Sequence, residues 1–189
     1  MRLVIAVTGA SGVIYGRRLL QVLKAKKVET HLIVSNAAQK VIQHELGLDK
    51  KDFGKLADHV YEASDLTSPL MSGSFKTDGM IIIPCTMKTL SGIVHGFADN
   101  LILRAADVAL KEKRRLIVVP RETPLSTVHL RNMLTASELG VYVVPAMPAF
   151  YHKPKNIDDL VDFVVGRVLD SLGLEHDLFK RYSGMETRS

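Results

Sequence analysis

Short apolar runs alternate with longer amphipathic segments along most of the chain. Residues 2–8 form a nearly continuous apolar run, which is typical of a strand buried on both faces. In the segment that follows, Leu19, Leu20 and Leu23 recur at roughly helical spacing. The same alternation continues toward the C-terminus. It predicts further strands at residues 30–34, 79–85, 116–119 and 141–144.

Side chains that favour helix N-termini precede most of the predicted helices. The predicted N-caps are Thr86, Asp99 or Asn100, Ser126 and Asn156. The helix that starts near residue 100 is expected to reach about Arg114, and the last helix about Leu172. Leu130, Met133, Leu134 and Ser137 are expected on one face of their helix, which Gly140 ends. Residues 47–78 show only turn and loop signals.

Strands that alternate with helices indicate parallel βαβ units. We therefore predict an α/β fold, a Rossmann-like (flavodoxin-like) three-layer sandwich with a mainly parallel sheet. No repeat or linker interrupts the pattern, so residues 1–189 are expected to form a single domain with a polar C-terminal tail from about residue 173. Ligands of such sheets bind at the carboxyl ends of the strands, and the loops there are where chemistry is expected.

Composition narrows the class of protein. With 189 residues, 47% of them hydrophobic and 24% charged, the chain is long enough for one packed core. Its net charge of +5 suits an anionic partner, but basic residues cluster only briefly, so no nucleic acid is expected. Cys85 is the one cysteine, which excludes an intramolecular disulfide, and no apolar run approaches a membrane span. We expect a cytoplasmic protein with no membrane partner.

Two predicted strand ends point to a phosphate ligand. The loop Gly9–Gly12 joins a strand to a helix, where glycines admit close approach and helix amides bind anions. This loop matches neither dinucleotide nor Walker patterns, and a simple turn is an equal alternative. Ser35 and Asn36 follow the second strand, where a dinucleotide fold usually carries an acid. Their presence argues against NAD and leaves a mononucleotide open, although Ser35 is also a plain helix cap.

The next two strand ends carry hydroxyls and opposite charges. In the loop 84–92, the hydroxyls and a helix start favour a polar or anionic ligand, whereas Cys85 is read as a buried, inert thiol. Arg121 and Glu122 lie between two prolines. Arg121 suits a phosphate and Glu122 suits proton transfer, while an internal ion pair is the alternative.

The last strand end is stiff and aromatic. Phe150 and Tyr151 follow two prolines and suit the wall of an apolar pocket, or else a lid over the core. Arg167 lies on a largely apolar helix, which implies a partner such as a phosphate or a structural carboxylate. No Asp-rich cluster for Mg²⁺ and no Cys/His spacing for zinc is present, so no metal is expected.

Taken together, these loops resemble the flavin prenyltransferase family of the UbiX type, which includes the related phenolic-acid decarboxylase subunit. The matching segments follow the family's order and spacing over nearly the whole chain. They are Thr8–Gly12, Ser72–Phe75, Pro84–Ile93, Arg104–Val108, Leu110–Glu112, Arg121–Leu125 and Pro148–Tyr151.

The resemblance implies a prenyl transferase that acts on a flavin. Such an enzyme transfers a dimethylallyl group from dimethylallyl phosphate to N5 and then C6 of reduced FMN, without a metal. The prenylated FMN then serves a separate UbiD-type decarboxylase, in ubiquinone biosynthesis or in aromatic acid decarboxylation. The resemblance also implies a homo-oligomer, typically a homododecamer, with FMN near the subunit interfaces.

Site residues are carried over from the same resemblance by position. The expected FMN-binding residues are Gly9, Ala10, Ser11, Ser35, Thr86, Met87, Lys88, Thr89 and Arg121. The residues expected to bind dimethylallyl phosphate are Lys111, Arg121, Tyr151, Arg167 and Arg104. The expected catalytic residues are Glu122, Lys111 and Ser11, with Glu122 as the proton carrier.

Two other functions stay open at this point. One is an FMN-dependent decarboxylase of cysteine carboxylates, but related decarboxylases carry a His in the first helix, and residues 13–18 contain none. The other is a flavin carrier subunit without catalysis of its own.

Overall fold

A six-stranded, entirely parallel sheet forms the centre of the molecule in this computed structural model, which describes residues 1–184. The strands are β1 (Arg2–Val7), β2 (Glu29–Val34), β3 (His59–Glu62), β4 (Gly79–Cys85), β5 (Arg115–Pro120) and β6 (Tyr142–Val143). The helices are α1 (Val13–Ala25), α2 (Asn36–Leu46), α3 (Lys50–Gly54), α4 (Met87–Val94), α5 (Leu101–Lys111), α6 (Thr127–Glu138) and α7 (Ile157–Leu172), with a 3₁₀ turn at Pro69–Met71.

The strand order is β3-β2-β1-β4-β5-β6, so the direction of winding reverses between β1 and β4. This order is that of a Rossmann-type sheet, in which the reversal opens a crevice at the carboxyl ends of the two central strands. The predicted α/β fold with a parallel sheet is confirmed.

Two apolar layers cover the two faces of the sheet. Because side chains alternate along a strand, Leu3, Ile5 and Val7 of β1 pack on one side against α1, α2 and α7. Val4 and Ala6 pack on the other side against α4, α5 and α6. The three-layer arrangement is therefore built into the strand residues themselves.

Helix starts follow the predicted caps. Asn100, and not Asp99, caps α5, since its Oδ1 accepts a hydrogen bond from Leu103 N at 3.1 Å. Side-chain oxygens of Thr86, Ser126 and Asn156 cap α4, α6 and α7 in the same way. These starts were readable from sequence because the cap is a local hydrogen bond between residues three apart.

Other boundaries differ from expectation. The helix expected to run to about Arg114 ends at Lys111, because Lys113 adopts a left-handed φ of 55° and Arg114 N bonds back to Ala109 O. The region 47–78, predicted as loop, contains α3, β3 and the 3₁₀ turn. β3 is an edge strand with mostly exposed side chains, so it lacks an apolar signature.

The side of α6 that faces the core is not its most apolar side. Asn132 and Ala136 are buried, whereas Leu130 and Leu134 are 52% and 60% exposed. Of the four residues expected on one face, only Met133 packs partly against the core. Among residues 1–184, no helix is both long and apolar enough to cross a membrane.

We predict that Gly16→Ala destabilises the fold by about 1–3 kcal/mol, as overpacking of a close contact does. α1 lies so close to the sheet that a Cβ at this position would be 2.7 Å from the carbonyl oxygen of Ile83 and 3.2 Å from Val7 Cγ2. Urea denaturation measures the loss. The exposed Gln21→Ala on the same helix is the control, and equal unfolding of the two variants would contradict the close packing.

Candidate functional site

A cavity of about 420 Å³ opens at the carboxyl ends of β1, β2 and β4, where the winding reverses. Small and hydroxyl-bearing residues line most of it. The lining residues are Thr8, Gly9, Ser35, Asn36, Ala37, Ala63, Ser64, Thr86, Lys88, Thr89, Asp99, Asn100, Ile102 and Leu103. Of the residues expected to bind FMN, Gly9, Ser35, Thr86, Lys88 and Thr89 lie here.

Two helices begin at this cavity. Ser35 caps α2 by accepting a hydrogen bond from Ala38 N at 3.1 Å, and Thr86 caps α4 by accepting one from Thr89 N at 3.1 Å. Each cap satisfies one amide and leaves earlier amides of the helix without an intrahelical partner. Two positive helix ends therefore face one cavity, which favours an anionic group such as a phosphate.

Thr8 ties the ends of the two central strands together. Its side chain is buried, and its Oγ1 donates to Pro84 O at 2.7 Å and accepts from Thr86 N at 2.8 Å. Thr8 N donates to the same Pro84 carbonyl at 3.2 Å. This one hydroxyl thus positions the cap of α4 relative to the glycine loop.

The glycine loop is in contact with α2. A Cβ on Gly9 would lie 2.5 Å from the Cβ of Ala37, so only glycine permits this approach. Gly12 has a φ of 99° and offers no side-chain cap to α1. Glu45 of α2 takes that role, since its Oε2 accepts hydrogen bonds from Gly12 N at 2.9 Å and Val13 N at 3.2 Å.

Glu45 was missed from sequence. It lies within a helical segment whose spacing indicates only an exposed face, and it is exposed in the structure. Its carboxylate marks the start of α1 as an anion-binding position. Ser11 is exposed in the same loop, next to that position, whereas the neighbouring Ala10 is buried.

Arg121 extends from the end of β5. Its backbone N donates to Cys85 O at 3.3 Å, and its buried side-chain Nε has no hydrogen-bond partner among residues 1–184. Burial raises the pKa of the Tyr15 hydroxyl, and the positive charge of Arg121 offsets part of that rise. A buried guanidinium N–H without a partner is available to donate a hydrogen bond to an anionic ligand.

Glu122, beside it, is exposed, and its Oε1 accepts a hydrogen bond from Thr123 N at 3.0 Å. Within residues 1–184 it forms no ion pair with Arg121, which was the alternative reading of this loop. Its carboxylate is therefore open to solvent and to a ligand.

Two residues near the cavity are buried in the core instead. Met87, expected to bind FMN, is 8% exposed and packs with the apolar layer under α4, so only its backbone is close to the cavity. Cys85 is fully buried, and burial raises the pKa of its thiol to about 12. The thiol is protonated at neutral pH and is a poor nucleophile.

Tyr151 lines a second cavity of about 470 Å³ near the C-terminal tail. Its ring makes edge contacts with Phe163 and Tyr182, at centroid distances of 5.8 and 5.5 Å. Lys153 and Arg181 contribute positive charge to the same cavity. Phe150, the other aromatic residue predicted as a wall, is 69% exposed.

Three predicted cationic residues lie apart from the first cavity. Lys111 ends α5, whose first turn lines the cavity, and an 11-residue helix is about 16 Å long. Its Nζ is 3.4 Å from Glu112 Oε1. Arg104 pairs with Asp107 on the same helix and donates to the carbonyl of Met71 at 3.2 Å.

Arg167 pairs with Asp170 at 2.8 Å on α7. In a single chain, therefore, none of Lys111, Arg104 and Arg167 lines the first cavity.

Comparison with known proteins identifies the family to which this chain belongs. The sequence model of the family described as "Flavoprotein" matches residues 1–169. The flavin prenyltransferase UbiX of Methanocaldococcus jannaschii is 54% identical over 182 residues, which cover 96% of this chain and 98% of that protein. The corresponding protein of Methanothermobacter thermautotrophicus is 51% identical, with coverage of 97% and 96%.

Solved structures agree over the same length. The crystal structure of AnUbiX in complex with FMN and dimethylallyl pyrophosphate superposes with a TM-score of 0.96, 48% identity and 98% coverage of each chain. A dodecameric, FMN-dependent UbiX-like decarboxylase from Escherichia coli O157:H7 superposes with a TM-score of 0.94 and 52% identity, covering 98% of this chain and 100% of that one. The chain therefore belongs to the flavoprotein family, among the flavin prenyltransferases of the UbiX type.

Proposed function

We propose that this chain transfers a dimethylallyl group from dimethylallyl phosphate to N5 and C6 of reduced FMN. The observation that carries the proposal is the cavity at the reversal between β1 and β4, where two capped helix N-termini face one space. Its volume of about 420 Å³ is within the range of small-molecule sites. The absence of an acidic residue directly after β2 favours a mononucleotide over a dinucleotide.

FMN would be held by the residues around that cavity. The N-termini of α2 and α4 would face the phosphate, with the hydroxyls of Ser35, Thr86 and Thr89 and the ammonium of Lys88 around it. Gly9 and Ala10 would pass beside the ligand as backbone, and Met87 would contribute its amide. Reduced FMN supplies the electron-rich N5 and C6 atoms to which the prenyl group becomes bonded.

The start of α1 is the position that we assign to the second phosphate. Gly12 and Val13 already direct their amides at the carboxylate of Glu45, and Ser11 lies in the same loop. Arg121 has a buried N–H available at the end of β5, two strands away from β1, and its charge already acts on Tyr15 of α1. These donors would stabilise the phosphate as its bond to the allylic carbon breaks.

Glu122 is proposed as the proton carrier. It is the exposed carboxylate directly after Arg121, and its free oxygen is not engaged in an ion pair within residues 1–184. In that role it would take the proton that C6 loses when the second bond forms. Tyr151 would shield the allylic group from water with its ring.

Lys111, Arg104 and Arg167 are proposed to act across subunit contacts. In one chain Lys111 lies at the far end of α5 from the cavity. A homologous structure is described as dodecameric, and such packing would allow one subunit's Lys111 to reach a neighbour's cavity. We therefore propose a homo-oligomer, of twelve subunits, with the active site completed between subunits.

The prenylated FMN would pass to a UbiD-type decarboxylase, the chain would act as one FMN-binding domain, and the lone buried thiol suits a cytoplasmic setting. Decarboxylation by the chain itself is the second candidate, because one homologous structure is described as an FMN-dependent decarboxylase.

The deciding experiment mixes the purified protein with reduced FMN and dimethylallyl phosphate without oxygen. Mass spectrometry of the released flavin is expected to show FMN heavier by one prenyl unit. The pyrophosphate is tested as donor in a parallel reaction. Unmodified flavin with both donors would refute the transferase, and release of carbon dioxide from a cysteine carboxylate would favour the decarboxylase.

Lys111→Met is expected to slow prenyl transfer about 100-fold, because one cation that stabilises the leaving phosphate is lost. Flavin fluorescence should show that FMN still binds. Glu122→Gln is also expected to slow prenyl transfer, because the variant has no carboxylate to accept the proton that C6 loses.

Co-expression of these two slow variants tests the subunit contact. If Lys111 serves a neighbour's cavity, random assembly leaves about a quarter of the sites with both native residues, and activity returns to about that share. Mixed oligomers as inactive as their parents would contradict the shared site.

Thr8→Val is expected to weaken FMN binding by about 1–3 kcal/mol, because it removes one of the two donors to the Pro84 carbonyl and leaves the Thr86 amide at the start of α4 without its buried partner. Thr8→Ser keeps the hydroxyl and should restore affinity. Calorimetric titration with FMN measures both. A valine variant that binds FMN as tightly as the serine variant would show that this hydroxyl does not position the α4 cap.

A further inference from the structure

Three potential metal ligands meet at the amino-terminal edge of the sheet, opposite the FMN cavity. Glu29 and His31 are two residues apart on β2, so their side chains share one face of the strand. The parallel register pairs His31 with His59 of β3. One ligand atom of each of the three residues lies within 4.8 Å of the other two.

His31 is oriented as metal-ligating histidines are. Its side chain is buried, its Nε2 lies 3.0 Å from Glu29 Oε1, and its Nδ1 lies 2.9 Å from the hydroxyl of Tyr61. A hydrogen bond on the second ring nitrogen fixes the ring and leaves Nε2 as the ligand atom.

Glu29 keeps a carboxylate oxygen for an ion. Its Oε1 accepts a hydrogen bond from Arg2 Nε at 2.8 Å and lies 3.0 Å from His31 Nε2. Over the described part of the chain, 1–184, its Oε2 accepts no hydrogen bond. Arg2 is held independently, by the Lys76 carbonyl and the Phe75 ring.

His59 supplies the third ligand and lies at the groove through which an ion would enter. Its ring stacks on that of His31 at 4.5 Å between centroids, and its Nε2 lies 3.7 Å from Glu29 Oε1. Its side chain is 51% exposed and lines an open groove beside Glu29. Lys24 and Lys27 line the same groove, and their charge would moderate the affinity for a cation.

We infer that Glu29, His31 and His59 form a binding site for a divalent transition-metal ion, and that Zn²⁺ suits it best. Two imidazoles and one carboxylate are ligands that Zn²⁺ accepts, with water in the fourth position. Nitrogen ligands disfavour Mg²⁺ and Ca²⁺, which prefer oxygen. The bound ion would join β2 to the four-residue edge strand β3.

The test uses the full-length protein, freed of metal by a chelator and titrated with Zn²⁺ in a calorimeter. One Zn²⁺ ion per chain is expected to bind. His59→Gln should weaken binding at least about tenfold, since it removes a direct ligand. Because this side chain is half-exposed, the variant is expected to fold. His44→Gln, an exposed histidine on α2, is the matched control and should bind as the native chain does.

A second readout separates a built site from weak surface binding. Zn²⁺ should raise the thermal midpoint of the native chain and of His44→Gln, but not that of His59→Gln, because only a native-state site stabilises the fold. Absence of binding, or equal affinity in His59→Gln and the native chain, would overturn the inference. Prenyl transfer by His59→Gln should be unchanged, because His59 is paired with His31, and the stretch of β2 from His31 to Ser35 at the FMN cavity spans about 13 Å.

Discussion

The pairing of β1 with β4 places the carboxyl ends of two central strands side by side, and the hydroxyl of Thr8 holds them there. That buried group bonds both the carbonyl of Pro84 and the amide of Thr86. Through it the glycine loop and the start of α4 keep a fixed relation. Most of the cavity's lining follows, because α2 and α4 both begin where these ends meet.

The cavity obtains its preference for anions mainly from backbone. Helix N-termini, small residues and hydroxyls surround it, and the nearby Arg121 leaves an N–H without a partner within residues 1–184. Oriented amides cost little reorganisation when a phosphate arrives or departs, which suits a reaction in which phosphate leaves. Glu45 at the start of α1 shows that this helix end already attracts a carboxylate.

The carboxyl ends and the amino ends of the strands carry different kinds of ligand groups. At the carboxyl ends, hydroxyls and free amides suit phosphates. At the amino ends of β2 and β3, imidazoles and a carboxylate converge by strand register. Because parallel strands place all their carboxyl ends on one edge, each set of ligands can vary without disturbing the other.

Much of the local structure was accessible from sequence because its causes are local. Caps such as Thr86 and Ser126 act over three residues, and strands such as 79–85 are apolar throughout because both faces are buried. The edge strand β3 was not predicted, because the exposed residues of an edge strand need not be apolar. Apolar spacing alone does not reveal the inward face of α6, because its apolar residues Leu130 and Leu134 remain on the surface.

The sequence by itself determined the parallel α/β fold, the strand-end loops and the family, since periodicity and ordered motifs are written along the chain. The tertiary structure alone decided which of those loops share a cavity. It placed Glu45 at the start of α1 and the first turn of α5 at the cavity, because both depend on contacts between residues remote in sequence. Apolar spacing records how a segment is buried, but only the packing of strands and helices decides which charged groups meet.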